Sequence, residues 1–382
     1  MTLRDVLGLS FLMLRTTGAA TAILMLPYSG VAYAATWQSS IALPSTVEYD
    51  SNPVLLGDDA KKAVTRTIIA PDFSLVGTSD LDQLRIGLGL NVVRSSDTSI
   101  VRDREDPKLL LGWQRDTEKG AYGLTASYVE SSTLSSAVQE TGVIATDGTQ
   151  KQSTLGGNWR TAVTERSSLI DEVEYTNVDY DIGSLTPYDE LSNQLSWNYT
   201  WSERVELFTR FSARRYEPKS GSGVASSNSY TPTTGFNYKI SEQLEVSAYV
   251  GANQVSGSNS GPTGQGGFNL HYAGERFDTT LDASRSTIAN GNGGFVESNN
   301  LRGTWSYSID ELSRTGIDTS WQKTKGQSPS TLRNFNVWAS RELSPFWVAR
   351  LSYTYKQRLQ DGLPDATANV VGLTLTYSYP EL

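Results

Sequence analysis

Between Leu191 and Trp201, Leu191, Leu195, Trp197, Tyr199 and Trp201 share one parity, with Asn193 among them. Ser192, Gln194, Ser196, Asn198 and Thr200 take the other. After the charged turn Ser202-Glu203-Arg204 the alternation resumes, setting Val205, Leu207, Thr209, Phe211 and Ala213 against Glu206, Phe208, Arg210, Ser212 and Arg214. A period of two marks a strand, because successive side chains point to opposite faces. The stretch predicts a hairpin with one apolar and one polar face.

The same unit recurs along the chain. The turn glutamates Glu118, Glu165, Glu203, Glu242, Glu275, Glu311 and Glu342 follow one another at intervals of 31 to 47 residues. This is a supersecondary repeat of hairpins rather than a strict sequence repeat. Between the hairpins lie stretches rich in Gly, Ser, Asn and Pro, such as EPKSGSGVASSNS and SGSNSGPTGQGG, which read as loops. Short turns alternating with longer loops are the plan of an up-and-down transmembrane β-barrel, with turns on the periplasmic side and loops outside. The pattern predicts about eighteen strands, from Trp37–Tyr49 to Ala368–Tyr379, and about sixteen if one hairpin is lost. Pro44 interrupts the first of them. In the last, Val371, Leu373, Leu375, Tyr377 and Tyr379 share a face, resembling the terminal assembly signal of outer-membrane barrels.

The opening residues do not fit this alternation. Arg4 and Arg15 precede an apolar run over residues 19–27, and Ala32-Tyr33-Ala34 matches a cleavage pattern. Residues 1–34 are expected to be a signal peptide and residues 35–382 a single outer-membrane β-barrel domain. Hydrophobic residues make up only 38% of the 382-residue chain and charged residues 19%, which leaves no room for a helical membrane bundle. The net charge of -9 and the lack of any Lys/Arg stripe exclude a nucleic-acid partner. Absence of Cys suits an exported chain that needs no disulfides.

Aromatic residues cluster where apolar faces meet turns: Trp113, Trp159, Trp201, Tyr238, Tyr272, Trp305, Tyr307 and Trp347. Rings with a polar edge favour the headgroup level of a bilayer. The apolar parity is therefore assigned to lipid and the polar parity to a water-filled lumen. That parity predicts Arg85, Arg160, Arg210, Arg214, Lys239, Arg302 and Arg350 as basic pore-lining residues, and Glu172, Glu174, Glu206, Glu245, Asp282 and Asp318 as acidic ones. The near-balance of signs implies weak ion selectivity. Any single one of these residues is as readily explained by cross-strand charge pairing. A round barrel of this size would be ~35 Å across and leave a lumen of ~20–25 Å, with a loop over residues 131–152 as a candidate constriction.

Catalytic chemistry is not expected. Glu172 and Glu174 are neighbours on one strand, and a glycosidase needs carboxylates opposed across its substrate. His271 is the only histidine and has no nucleophile pattern around it. GPTGQGG lacks the following Lys-Ser/Thr of a phosphate loop. No ligand cluster points to a metal, and no cofactor is expected.

The segment VEYDSNPVLL after the first strand, SSDTSIVRDREDPKLLLGW and the hairpin series together resemble the β-barrel porin 2 family, in which a Tyr-Asp-x-Asn stretch follows the first strand. The matching residues here are Tyr49, Asp50, Asn52 and Pro53. The resemblance implies an outer-membrane exit for an exopolysaccharide or capsule-type polymer, working with a periplasmic polysaccharide export protein and surrounded by outer-membrane lipid. Two alternatives stand beside it: a general diffusion porin for small hydrophilic solutes, and a structural or adhesive surface barrel.

Overall fold

The computed structural model describes residues 35–136, 147–219, 223–256, 262–326 and 329–379. The expected signal peptide, 1–34, lies outside the described residues. Nineteen strands form one antiparallel sheet. The first ten are β1 Thr36–Asp50, β2 Val64–Ile69, β3 Asp72–Thr78, β4 Asp82–Ser95, β5 Arg104–Thr117, β6 Gly120–Ser132, β7 Thr149–Thr164, β8 Ser167–Tyr180, β9 Tyr188–Thr200 and β10 Val205–Pro218. The remainder are β11 Ser227–Lys239, β12 Leu244–Val255, β13 Thr263–Ala273, β14 Phe277–Ala289, β15 Phe295–Ser308, β16 Ser313–Lys325, β17 Ser330–Ser344, β18 Trp347–Gln360 and β19 Ala366–Tyr379.

Each strand pairs with its chain neighbours, and β1 closes the ring on β19 from Ile41↔Tyr379 to Asp50↔Val370. β2 and β3 are two halves of one stave, since both pair with β1 and with β4. The wall is thus an 18-strand closed barrel, as the hairpin count predicts. The second stave, expected to run unbroken, is interrupted at Ala70-Pro71. The break lies opposite Pro44, whose missing N–H would otherwise leave a gap in a full ladder. Ala70 N instead donates to Pro44 O (3.0 Å) and Leu90 N to Pro71 O (3.0 Å). Two prolines share one defect, and the wall stays sealed.

The tight turns have a recurrent chemistry. Ser79 Oγ accepts from Asp82 N (3.0 Å), Ser202 Oγ from Val205 N (3.1 Å), Ser241 Oγ from Leu244 N (3.1 Å) and Asp310 Oδ1 from Ser313 N (2.7 Å). A short polar side chain that mimics a backbone acceptor fixes the reversal before any tertiary contact forms. At Asp310 the N–H of Leu312, with the hydroxyl and N–H of Ser313, also holds the carboxyl below its ordinary pKa. These turns share one end of the barrel with 118–119, 165–166, 274–276 and 345–346. The longer connections 51–63, 96–103, 133–148 and 181–187 share the other, which is the extracellular end in barrels of this type.

The two faces of the wall differ as the alternation predicts. Leu195, Leu207 and Leu373 are 43%, 38% and 58% exposed, and Val250 is 67% exposed. No dry core covers them. An apolar belt this open is stable only against hydrocarbon. Replacing Leu373 with Arg is expected to destabilise the barrel by roughly 2–4 kcal/mol, whereas an Arg at the inward Gln194 costs under about 1 kcal/mol. Denaturant unfolding in lipid vesicles, followed by tryptophan fluorescence, distinguishes the two, and equal costs would place Leu373 away from lipid.

Candidate functional site

The charged residues expected to line the pore stand on the strand parity opposite the exposed apolar belt. Glu172 accepts from Gln194 Nε2 (2.9 Å) and Glu174 from Thr176 Oγ1 (3.3 Å). Glu206 accepts from Asn237 Nδ2 (3.0 Å). Lys239 sits 3.6 Å from Glu245 and Arg350 3.8 Å from Asp318. Asp282 and Arg302 lie opposite each other in register, and Arg160 lies inward on β7 opposite Ala121. Arg85, Glu172, Glu174 and Arg214 line one cavity of about 820 Å³. His271, also inward, shares a hydrogen bond with Thr280 (3.2 Å) and lies 3.6 Å from Asp278.

Several inward residues break the polar rule. The Arg210 guanidinium lies 4.0 Å from the ring centroid of Phe208, and that of Arg350 lies 4.2 Å from Trp338. Both rings lie flat on a neighbouring strand. A Cβ at Gly235 would come 2.6 Å from Phe208 Cζ, and one at Gly316 would come 2.5 Å from Trp338 Cζ2. Glycine at these positions lets an aromatic lie along the wall instead of across the lumen. Parity alone shows that Phe208 and Trp338 point inward, but not that a cation covers them.

The extracellular mouth is crowded, and there the structure departs from the round ~20–25 Å lumen expected from strand number. In a round barrel β10 and β14 would stand ~23 Å apart. Instead Arg214 Nη1 donates to Thr287 O (2.6 Å), and its guanidinium lies 5.1 Å from the Phe295 ring. Tyr216, fully buried, packs on Phe295 with centroids 6.1 Å apart and on Tyr188 at 4.8 Å. The top of the β14–β15 hairpin therefore leans inward at the mouth. Thr186 N continues the bridge to Gly291 O (2.7 Å). The inward lean of the wall narrows the passage on this side.

Loops do contribute at other points. In the 133–148 connection, Asp147 is buried, accepts from Arg104 Nη1 (3.2 Å) and Arg102 N (3.0 Å), and receives Ser132 Oγ (2.5 Å). Residues 137–146 of the expected constriction lie outside the described residues.

The Tyr-Asp-x-Asn stretch acquires a structural role. Asp50 is fully buried, accepts from Asn52 N (2.9 Å), and lies 3.4 Å from Arg66 and 3.3 Å from Lys356. Arg66 also pairs with Glu48. Asn52 Nδ2 donates to Leu56 O (2.7 Å) and to Thr367 O (3.0 Å), while its Oδ1 accepts from Leu56 N (3.0 Å). Leu55 takes a left-handed φ of 54° and offers its carbonyl to buried Arg358 Nε (3.0 Å). Asp50 and Asn52 thus fasten the 51–63 loop to the inner face of β18–β19, closing one side of a second cavity of about 510 Å³. Arg66, Arg104, Asp106, Lys108 and Lys356 line this cavity; Arg104 and Asp106 lie where β5 extends beyond its predicted start at Lys108, and Arg66, Lys108 and Lys356 fall within predicted strands but were not singled out.

No protein-family model matches this sequence, and no curated protein does. Among solved structures, OpdK of Pseudomonas aeruginosa with vanillate is 10% identical. Its alignment covers 90% of this chain and 98% of that chain, with a TM-score of 0.50. Acinetobacter baumannii OccAB2 is 8% identical over 90% of this chain and 98% of that one, also at 0.50. At these identities the likeness is one of fold. A sealed wall, a hydrocarbon-facing exterior and a polar interior make this chain a β-barrel of the bacterial outer membrane.

Asp50→Ala removes the carboxylate that meets two cations and a backbone N–H. A loss of roughly 3–5 kcal/mol in local stability is expected, visible as faster hydrogen exchange over residues 51–56 and quicker tryptic cleavage at Lys61 and Lys62. Unchanged exchange would mean that the loop is held by something other than Asp50.

Proposed function

We propose that this barrel is a diffusion channel for small hydrophilic solutes, with Arg85, Glu172, Glu174, Glu206, Arg210, Arg214 and their inward neighbours lining the path. The contact of Arg214 and Tyr216 with Thr287 and Phe295 carries the reading. It brings the β14–β15 hairpin against the inner face of β10 at the mouth, while polar side chains and cavities of about 820 and 510 Å³ occupy the interior. Amides, hydroxyls and paired charges can replace the water of a small solute one contact at a time. A polymer chain needs a continuous wide bore, and the inward-leaning β14–β15 hairpin stands across it. The polymer-exit reading therefore rests on the layout and the Tyr49-Asp50-x-Asn52 motif alone.

The purified chain should conduct in planar bilayers without a partner, and proteoliposomes should swell in small sugars but not in long oligosaccharides. Arg214→Ala combined with Phe295→Ala should raise conductance and admit larger sugars. The proposal fails if deletion abolishes a surface polymer while solute permeability is untouched.

Glu172 and Glu174 face the same cavity as Arg85, which has no ion-pair partner among the described residues. Converting both glutamates to Gln should shift the reversal potential in a salt gradient toward anions. A reversal potential that does not move would mean that this wall lies off the ion path.

A further inference from the structure

The outer surface of β14–β17 near the extracellular rim departs from the apolar belt. Arg285, Asn299 and Lys323 lie side by side in register on β14, β15 and β16. Lys325 stands one outward position above Lys323, and Arg333 on β17 faces Trp321 just below it. The only carboxylate of this patch among the described residues is Glu297, which meets Arg285 Nη2 at 2.5 Å and Lys325 Nζ at 2.8 Å. Four cations against one anion leave a surplus of positive charge. Arg285 Nε is buried and has no hydrogen-bond partner among the described residues.

Directly below the cations the wall is concave. A groove of about 540 Å³ runs down the exterior, lined by Val250, Phe268, Leu301 and Trp321 and headed by Arg285 and Asn299. It forms where β13 stops pairing with β14 at Gly266↔Arg285, just before the β14–β15 hairpin turns inward. Gly266 adds no side chain to fill it.

We propose that this surface binds the phosphorylated headgroup of an outer-leaflet glycolipid, with an acyl chain lying in the groove. The position decides the class of occupant. The cations sit at the upper edge of the hydrocarbon belt, where a lipid phosphate resides. Arginine and lysine together match phosphate oxygens. The groove beneath offers aliphatic and aromatic side chains to a hydrocarbon chain, which a soluble anion lacks. The site is on the outside of the barrel, so it is independent of what passes through the lumen.

The test uses the full chain in nanodiscs loaded with labelled diphosphoryl lipid A, its dephosphorylated form or phosphatidylethanolamine, with retention read after gel filtration. Wild-type protein should hold the diphosphoryl lipid and release the other two. Arg285→Gln and Lys323→Gln should each weaken retention about fivefold, and Lys151→Gln on the far wall should leave it unchanged. Unaltered conductance and heat-modifiable gel mobility report that each variant is folded. The proposal is overturned if both variants retain the lipid like wild type or if the dephosphorylated form binds equally. It is overturned too if millimolar inorganic phosphate strips the lipid, which would mark a free-anion site.

Discussion

Hydrocarbon offers no partner to a peptide group, and that constraint governs the whole molecule. Every N–H and C=O in the wall must bond to another strand, so the sheet has to close. The β1–β19 ladder performs that closure. The constraint also accounts for the paired irregularity at Pro44 and Pro71. A proline inside a membrane strand leaves a neighbour's carbonyl without its donor, unless the adjacent stave breaks at the same level. Here it does, and Ala70 N satisfies Pro44 O.

Closure sets the perimeter but not the cross-section. A ring of eighteen staves can buckle, because strands resist bending sideways in the sheet far less than they resist losing hydrogen bonds. At the extracellular end β13 pairs with β14 only as far as Arg285. Beyond that level the β14–β15 hairpin is free to tilt inward. Its former outer residues, Thr287, Ala289 and Phe295, then pack against the inner faces of β8–β10 in a small aromatic cluster with Tyr188 and Tyr216. One local loss of pairing thus produces both a constricted mouth and, on the outside, the groove beneath Arg285.

The lumen shows how charge is kept in water without freezing the passage. Three inward carboxylates accept from an amide of the next strand: Glu172 from Gln194, Glu206 from Asn237 and Asp318 from Asn336. Such cross-strand bonds hold the side chains against the wall. The aromatic-on-glycine stacks of Phe208 and Trp338 do the same for bulky rings. At the mouth the arrangement changes: Asp50, Asp147 and Arg358 are buried and anchor loops, at a desolvation cost that only multiple partners offset.

The sequence by itself determined the strand period, the positions of most turns and the closed topology, and it set the predicted charged residues on the polar parity. All of these follow from local rules: alternation, turn chemistry at Ser79, Ser202, Ser241 and Asp310, and the requirement that a polar backbone be paired. Arg85, Glu172, Glu206 and Arg350 were assigned to the polar parity for that reason. The sequence did not reveal that the mouth is pinched, that Asp50 and Asn52 fasten a loop, or that Arg285, Lys323 and Lys325 form one patch. Those features join residues on strands far apart in the chain, and the energy that decides them comes from packing between walls. Parity fixes which way a side chain points; only the tertiary structure decides what it meets there.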